Sequence, residues 1–173
     1  MINTPTHLIL HHTTVSTKKR SKQLWAVNSY HQWVKGFSRS ELGFYVGYHY
    51  FLEADGKLIK TRNDNEEGMH TLNGWNRKSI GVCLAGDFYE EAPTRAQLVA
   101  IRGLIKKYNL PYMFHKEADP RRTCAGAYIT RDLIDTEIPP MDEIDKEKAI
   151  ELSKIYPGFS YGRLIKIIRS LKQ

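Results

Sequence analysis

The stretch at residues 79–85, SIGVCLA, constrains this chain more than any other. It is short and almost wholly apolar. A strand with one wet face alternates apolar and polar residues; an unbroken apolar run marks a central strand covered on both faces. The remaining elements are therefore read for what pairs with it and what covers it.

Residues 6–13 read as a strand, with Leu8, Ile9 and Leu10 followed by His11 and His12. Residues 20–35 read as a helix: Leu24, Val27, Tyr30 and Val34 form one apolar stripe, and Gly36 is a stop signal. Residues 44–53 are rich in Tyr, Phe and Val and read as a strand. The turn Ala54-Asp55-Gly56 then leads into a second hairpin arm at 57–62. Residues 63–77 have Gly, Asn and charge without periodicity. A loop of about 15 residues exceeds the usual connection, a length associated with functional loops. Thr94 and Gln97 form a capping-box pattern before Leu98, Ile101, Leu104 and Ile105, predicting a helix to about residue 108. Residues 110–115 read as a short strand and 116–126 as a polar loop. The order β-α-β-β-β-α-β predicts an α/β fold with a mixed central sheet flanked by helices.

Pro139-Pro140 marks a boundary, giving one domain over 1–138 and a short helical C-terminal extension over 139–173. Helices are expected at 142–156 and 160–171. The second carries Leu164, Ile167, Ile168 and Leu171 on one face, with Arg163, Lys166, Arg169 and Lys172 around the rest. The 173 residues suffice for one core without staples. A composition of 41% hydrophobic and 26% charged residues argues against wholesale disorder. No 18-residue apolar run exists, so no membrane span is expected. Two Cys cannot build a disulfide framework and fit a reducing compartment. The N-terminus lacks the basic start and apolar stretch of a Sec-type signal. The net charge of +7 favours a polyanionic partner or surface, either nucleic acid or an anionic envelope; a basic enzyme without such a partner is the plainer alternative.

His11 and His115 sit at predicted strand ends, and Cys124 lies in the loop after the second. Taken singly, such residues are ordinary. Together, two imidazoles and a thiolate suit zinc and leave a fourth position for water. No local motif joins them, so spacing alone leaves the grouping open.

The stretches LILHHTT, GYHYFLEADGKLIKTR, GMHTLNGWNRKSIGVCLAGDF and HKEADPRRTCAG, within residues 6–126, resemble a zinc amidase family. That family joins phage lysozyme-amidases, bacterial N-acetylmuramoyl-L-alanine amidases and animal peptidoglycan recognition proteins. The resemblance implies Zn2+ on His11, His115 and Cys124. It implies hydrolysis of the amide between N-acetylmuramic acid and L-alanine of the peptidoglycan stem peptide. Tyr48, before the His of GYH, is implied at the reacting centre as a donor to the oxyanion or a proton carrier. Where the family often has Lys two residues before the third ligand, this chain has Arg122, which keeps the charge but does not deliver a proton. His70, Thr71 and Trp75 are implied as binders of peptide or sugar. His31 and His49 read as structural, and Cys83 as a buried, inert thiol.

Two further readings stand beside the amidase. One is a binding module that recognises peptidoglycan without hydrolysis; the presence of Cys124 argues against it. The other concerns residues 139–173: a basic helix that touches an anionic wall polymer or nucleic acid, against the plainer expectation that it packs on the domain. Nucleic acid is the less favoured partner, and a monomer is expected. Without a leader, the resemblance implies cytoplasmic synthesis. It then implies either an endolysin released to the wall by a holin-type route or a muropeptide-recycling amidase, the endolysin being preferred.

Overall fold

The computed structural model describes residues 2–136 together with Ile150 and Glu151. It divides into two compact units, 1–134 and 135–173. The expected helices at 142–156 and 160–171 lie, apart from a helical Ile150 and Glu151, outside the described residues.

Residues 79–85 do form the pivot. Strand β4 (Ser79–Leu84) is buried at every position and pairs in parallel with β1 (His7–His12) on one side and β2 (Tyr50–Leu52) on the other. β3 (Leu58–Lys60) closes one edge antiparallel to β2. β5 (Tyr112–Phe114) closes the other edge parallel to β1, so the five-stranded order is β3-β2-β4-β1-β5. Leu8, Ile9, Leu10, Ile80, Val82 and Leu84, which alternate between the two faces of the parallel strands, are all fully buried, so both faces are covered.

Helix α2 (Arg95–Tyr108) starts as its sequence directs. Thr94 Oγ1 accepts from Gln97 N, and Gln97 Oε1 accepts from Thr94 N. Such caps stabilise a helix by about 1 kcal/mol. Asn109, left-handed at φ 49°, ends it. Helix α1 (Leu24–Trp33) is shorter than the predicted 20–35 and turns a different face inward. The Glu53 carboxylate accepts from Gln23 N at 2.9 Å and Leu24 N at 3.0 Å, and this anion at the N-terminus fixes the first turn. The buried positions are Leu24, Asn28 and His31, while Tyr30 and Val34 of the predicted stripe point to solvent. Tyr45 N donates to Asn28 Oδ1 and Gly47 N to His31 Nδ1, so polar side chains hold this helix to the chain that follows it.

The predicted strand at 44–53 contracts to Tyr50–Leu52. Ahead of it the backbone is taken by the long loop: Met69 N donates to Gly47 O at 2.8 Å. A Cβ at Gly47 would lie 2.3 Å from Met69 O, so only glycine admits that crossing. At the far edge, Phe114 N donates to Glu117 Oε2, which ends β5 and starts a short helix, α3 (His115–Ala118), where a loop was predicted. A further short helix, α4 (Arg131–Asp135), follows. Among the described residues, no helix is long and apolar enough to cross a membrane.

Candidate active site

Sheet register puts two histidines side by side. Leu10 of β1 stands abreast of Phe114 of β5. The next residues, His11 and His115, therefore meet at the carboxyl edge of the parallel strands, with ring centroids 4.4 Å apart. That edge is where open α/β sheets bind ligands. His12 goes the other way: its Nδ1 accepts from Phe88 N at 3.0 Å and its ring stacks on Phe88.

Cys124 is brought in by the loop after α3. Lys116 N donates to Cys124 O at 2.7 Å, and Ala127 N and Tyr128 N both donate to Phe88 O at 2.9 Å. Gly126 has φ +98°, and a Cβ there would lie 2.4 Å from Phe88 O, so a side chain would lift the loop away. One ligand atom from each of His11, His115 and Cys124 then lies within 4.8 Å of the others. Cys124 Sγ is 4.0 Å from His11 Nδ1. Zinc at its usual bond lengths in tetrahedral geometry separates such a pair by about 3.5 Å. The donor set fits that ion with little adjustment.

The protonation pattern also suits a cation. His11 Nε2 lies 3.0 Å from His70 Nδ1. With His11 Nε2–H donating to His70, the His11 Nδ1 lone pair faces Cys124. Burial, then the neighbouring His70, His115 and His12, hold His11 well below the usual imidazole range, so it is neutral. Burial and then Arg122 lower His115. Burial pushes the Cys124 thiol up to about 11, opposed by the His12 N–H at 3.4 Å and by Arg122 and Lys116. Such a thiol loses its proton when a metal ion takes the proton's place.

His70 is itself clamped. A Cβ at Gly68 or Gly81 would lie 2.5 or 2.4 Å from its Cδ2. The backbone N–H groups of His70 and Thr71 donate to Asn76 Oδ1 at 2.9 and 3.0 Å. Burial and then His49 keep His70 neutral. His49 sits behind it, its Nδ1 accepting from Gly81 N and its Nε2–H donating to Glu66 O.

A cleft of about 440 Å³ opens over this group, lined by Tyr48, His70, Thr71, Asn76, His115 and Arg122, with His31, Lys35 and Phe37 along one wall. The Tyr48 ring lies 5.0 Å from that of His11. Burial, then Cys83 and Cys124, push its phenol well above the ordinary range, so it remains a neutral donor. The same ring packs against the core cluster of Leu24, Val46, Phe51, Cys83 and Ala85. Arg122 Nε is 3.6 Å from Asp119 Oδ2, which steadies the guanidinium at the rim.

Of the residues expected to touch substrate, His70 and Thr71 line the cleft and Trp75 does not. Gly74, at φ 79°, opens a single 3-10 turn, Trp75–Arg77. The Trp75 ring lies edge-on to His7 at 5.1 Å, with Lys78 Nζ 4.2 Å from its centroid. Asn76 takes the inward place. His70 also has a task that its loop position did not announce, holding His11. Asn76, Lys35 and Phe37 escaped sequence reasoning: Asn76 was visible only as part of an overlong loop, and the other two flank Gly36 without a motif.

The model of a protein family described as N-acetylmuramoyl-L-alanine amidase matches residues 2–127. Among curated relatives, peptidoglycan-recognition protein SC2 of Drosophila melanogaster is 31% identical over 109 residues, 61% of this chain and 55% of that protein. The endolysin of Klebsiella phage KP32 is 31% identical over 86 residues, 44% of this chain and 56% of that protein. The chain thus spans about half the length of the curated relatives it matches. Among solved structures, the N-acetylmuramoyl-L-alanine amidase LysC from Clostridium intestinale superposes with a TM-score of 0.64 at 25% identity, covering 77% of this chain and 84% of that one.

Proposed function

This chain belongs to the N-acetylmuramoyl-L-alanine amidase family, and from that premise we propose that it hydrolyses the amide joining N-acetylmuramic acid to L-alanine of the stem peptide. The observation that carries this reading is the convergence of His11, His115 and Cys124 within 4.8 Å beneath an open cleft. These three side chains would hold a zinc ion, which when bound would supply a Lewis acid and lower the pKa of a water towards neutral.

The chain's own residues do the rest. His70 fixes the tautomer and orientation of His11 through the 3.0 Å contact. The Tyr48 ring lies 5.0 Å from that of His11, and its neutral phenol would donate to the oxygen on which charge develops. Arg122 adds a fixed positive charge, and with Lys35 it lines the cleft with cations that complement the carboxylates of a stem peptide. Thr71 and Asn76 line the wall that receives the peptide or sugar. A wall-degrading, endolysin-type role is preferred over muropeptide recycling; the likeness to the Klebsiella phage endolysin supports it.

The test is hydrolysis of purified peptidoglycan by zinc-loaded protein, with and without chelator, reading products by mass. The expected result is chelator-sensitive release of stem peptides bearing a free L-alanine amino terminus. Muropeptide binding without release by the folded, zinc-loaded protein would transfer the reading to recognition.

A further inference from the structure

The positive charge of this protein is not spread along the chain. Residues 1–40 contain Lys18, Lys19, Arg20, Lys22, Lys35 and Arg39 and no Asp or Glu. The remaining residues balance 20 cations against 19 carboxylates, so almost the whole net charge of +7 belongs to β1, α1 and their flanks.

Helix α1, LWAVNSYHQW, has no Lys, Arg, Asp or Glu. Its outer face exposes Trp25 by 70%, Trp33 by 78% and Tyr30 by 47%, with Val34 beyond it at 65%. A solvated helix normally puts charges on that face. The cations cluster at the helix ends instead. Lys22 pairs with Asp55, and the nearby Glu91 is taken up by Ser16 and Thr17. Among the described residues, Lys18, Lys19 and Arg20 form no ion pair and stand exposed.

Beside the helix lies a second cavity, of about 420 Å³, formed by Val15, Ala26 and Val27 with Lys19 and Arg20 around it. Its shape is fixed from below: buried Gln23 donates through Nε2 to Val15 O and Arg20 O, each at 2.8 Å. An apolar cavity with two cations, next to an uncharged aromatic helix face, matches an amphiphile with an anionic head. Nucleic acid and polysaccharide also meet cations and aromatic rings, but neither has an apolar chain for such a cavity.

We propose that α1 and the loop at 15–22 dock on an anionic phospholipid surface. Trp25, Tyr30 and Trp33 enter the headgroup region, where amphipathic rings settle. Lys18, Lys19 and Arg20 meet the lipid phosphates. The cleft opens at the C-terminal end of the same helix, through His31 and Lys35. Docking would therefore hold the cleft close to the membrane face. This assignment does not depend on catalysis.

The experiment is co-sedimentation of the full chain with vesicles of phosphatidylglycerol and phosphatidylcholine, against vesicles of phosphatidylcholine alone, at low and high salt. Tryptophan quenching by brominated lipid is read in parallel. Binding is expected to the anionic vesicles only and to weaken with salt. At about 1 kcal/mol per cation, K18Q/K19Q lowers the partition coefficient about thirty-fold. W25A/W33A lowers it about tenfold or more and removes most of the quenching, while the urea midpoint changes little because both rings are largely exposed, Trp25 touching only Phe44 among the aromatic rings of the described residues. No partition into anionic vesicles would overturn the assignment, as would partition that both double variants leave intact. So would loss of binding to an oligonucleotide or to wall polysaccharide in these variants when vesicles never bind.

Discussion

If His70 sets the orientation of His11, disturbing His70 weakens zinc binding without touching a ligand. The structure offers two independent ways to do so. His70→Ala removes the acceptor 3.0 Å from His11 Nε2. Gly81→Ala leaves His70 in place but puts a Cβ 2.4 Å from its Cδ2, where ordinary contact begins near 3.4 Å. β4 is held by hydrogen bonds to β1 and β2 on both sides and does not yield, so the imidazole retreats. A retreat of about 1 Å stretches the contact with His11 to about 4 Å, past the hydrogen-bond limit. Loss of such a supporting partner typically costs 10–100-fold in metal affinity, and both variants are expected in that range. His70→Asn keeps an oxygen acceptor near the position of Nδ1 and should recover most of the loss. The assay is zinc competition against a chromophoric chelator, with near-UV circular dichroism confirming that each variant is folded. Folded His70→Ala and Gly81→Ala proteins with parental zinc affinity would refute the positioning role.

Three further outcomes are expected. Cys124→Ala removes one of the three proposed ligands and should abolish stoichiometric zinc and amidase activity together, read by metal analysis and product mass; full metal content with full activity contradicts the ligand set. Tyr48→Phe deletes the phenol proposed to donate to the reacting oxygen and should lower kcat by about 10²–10³, with zinc content unchanged and KM little altered. In the presence of chelator, stability should fall as pH drops from 6.5 towards 4. Burial, chiefly, holds His31 and His49 at about 4 against an ordinary 6.5. The unfolded chain therefore takes up protons first, and each site withdraws up to about 3 kcal/mol across that window. Urea midpoints from pH 7.5 to 4.5 measure it, and His31→Asn, which retains an acceptor for Gly47 N, should flatten the profile.

The sheet was legible because burial on two faces leaves an unmistakable pattern: after Ser79, whose hydroxyl is taken up by Trp75 O, SIGVCLA has no polar residue to place on a wet side. The start of α2 was equally plain, since Thr94 and Gln97 satisfy the helix locally. α1 was misread where its partners are distant. Glu53, thirty residues downstream of Gln23, sets its first turn, and Asn28 and His31 are buried because backbone N–H groups at 45 and 47 need acceptors. No periodicity of apolar residues announces a buried polar face. In the site, His11, His115 and Cys124 were named through family resemblance, whereas their meeting follows from the β1–β5 register and the glycine contact at 126. Trp75 and Asn76 show the limit of that approach. Adjacent loop residues exchange inside and outside with one left-handed glycine, and no motif carries that information.

Five of the seven histidines are buried, and three of them, His49, His70 and His11, touch one another in succession. A cation site needs imidazoles that are neutral and correctly oriented before the ion arrives. Burial provides the first condition and backbone hydrogen bonds the second. His31, His49 and His12 each accept a backbone N–H at Nδ1, which settles their tautomers. His49 occupies the space behind His70, and His70 in turn takes up Nε2 of His11. His11 has its Nδ1 directed at the Cys124 thiol. The edge-to-face contacts from His49 through His70 to His11 thus turn a fold-stabilising set of neutral rings into the orientation of one proposed ligand. Its cost appears in acid, where every buried neutral ring becomes a reason to unfold. Acid stability and metal affinity should consequently move together in this protein, since both depend on keeping the same rings uncharged.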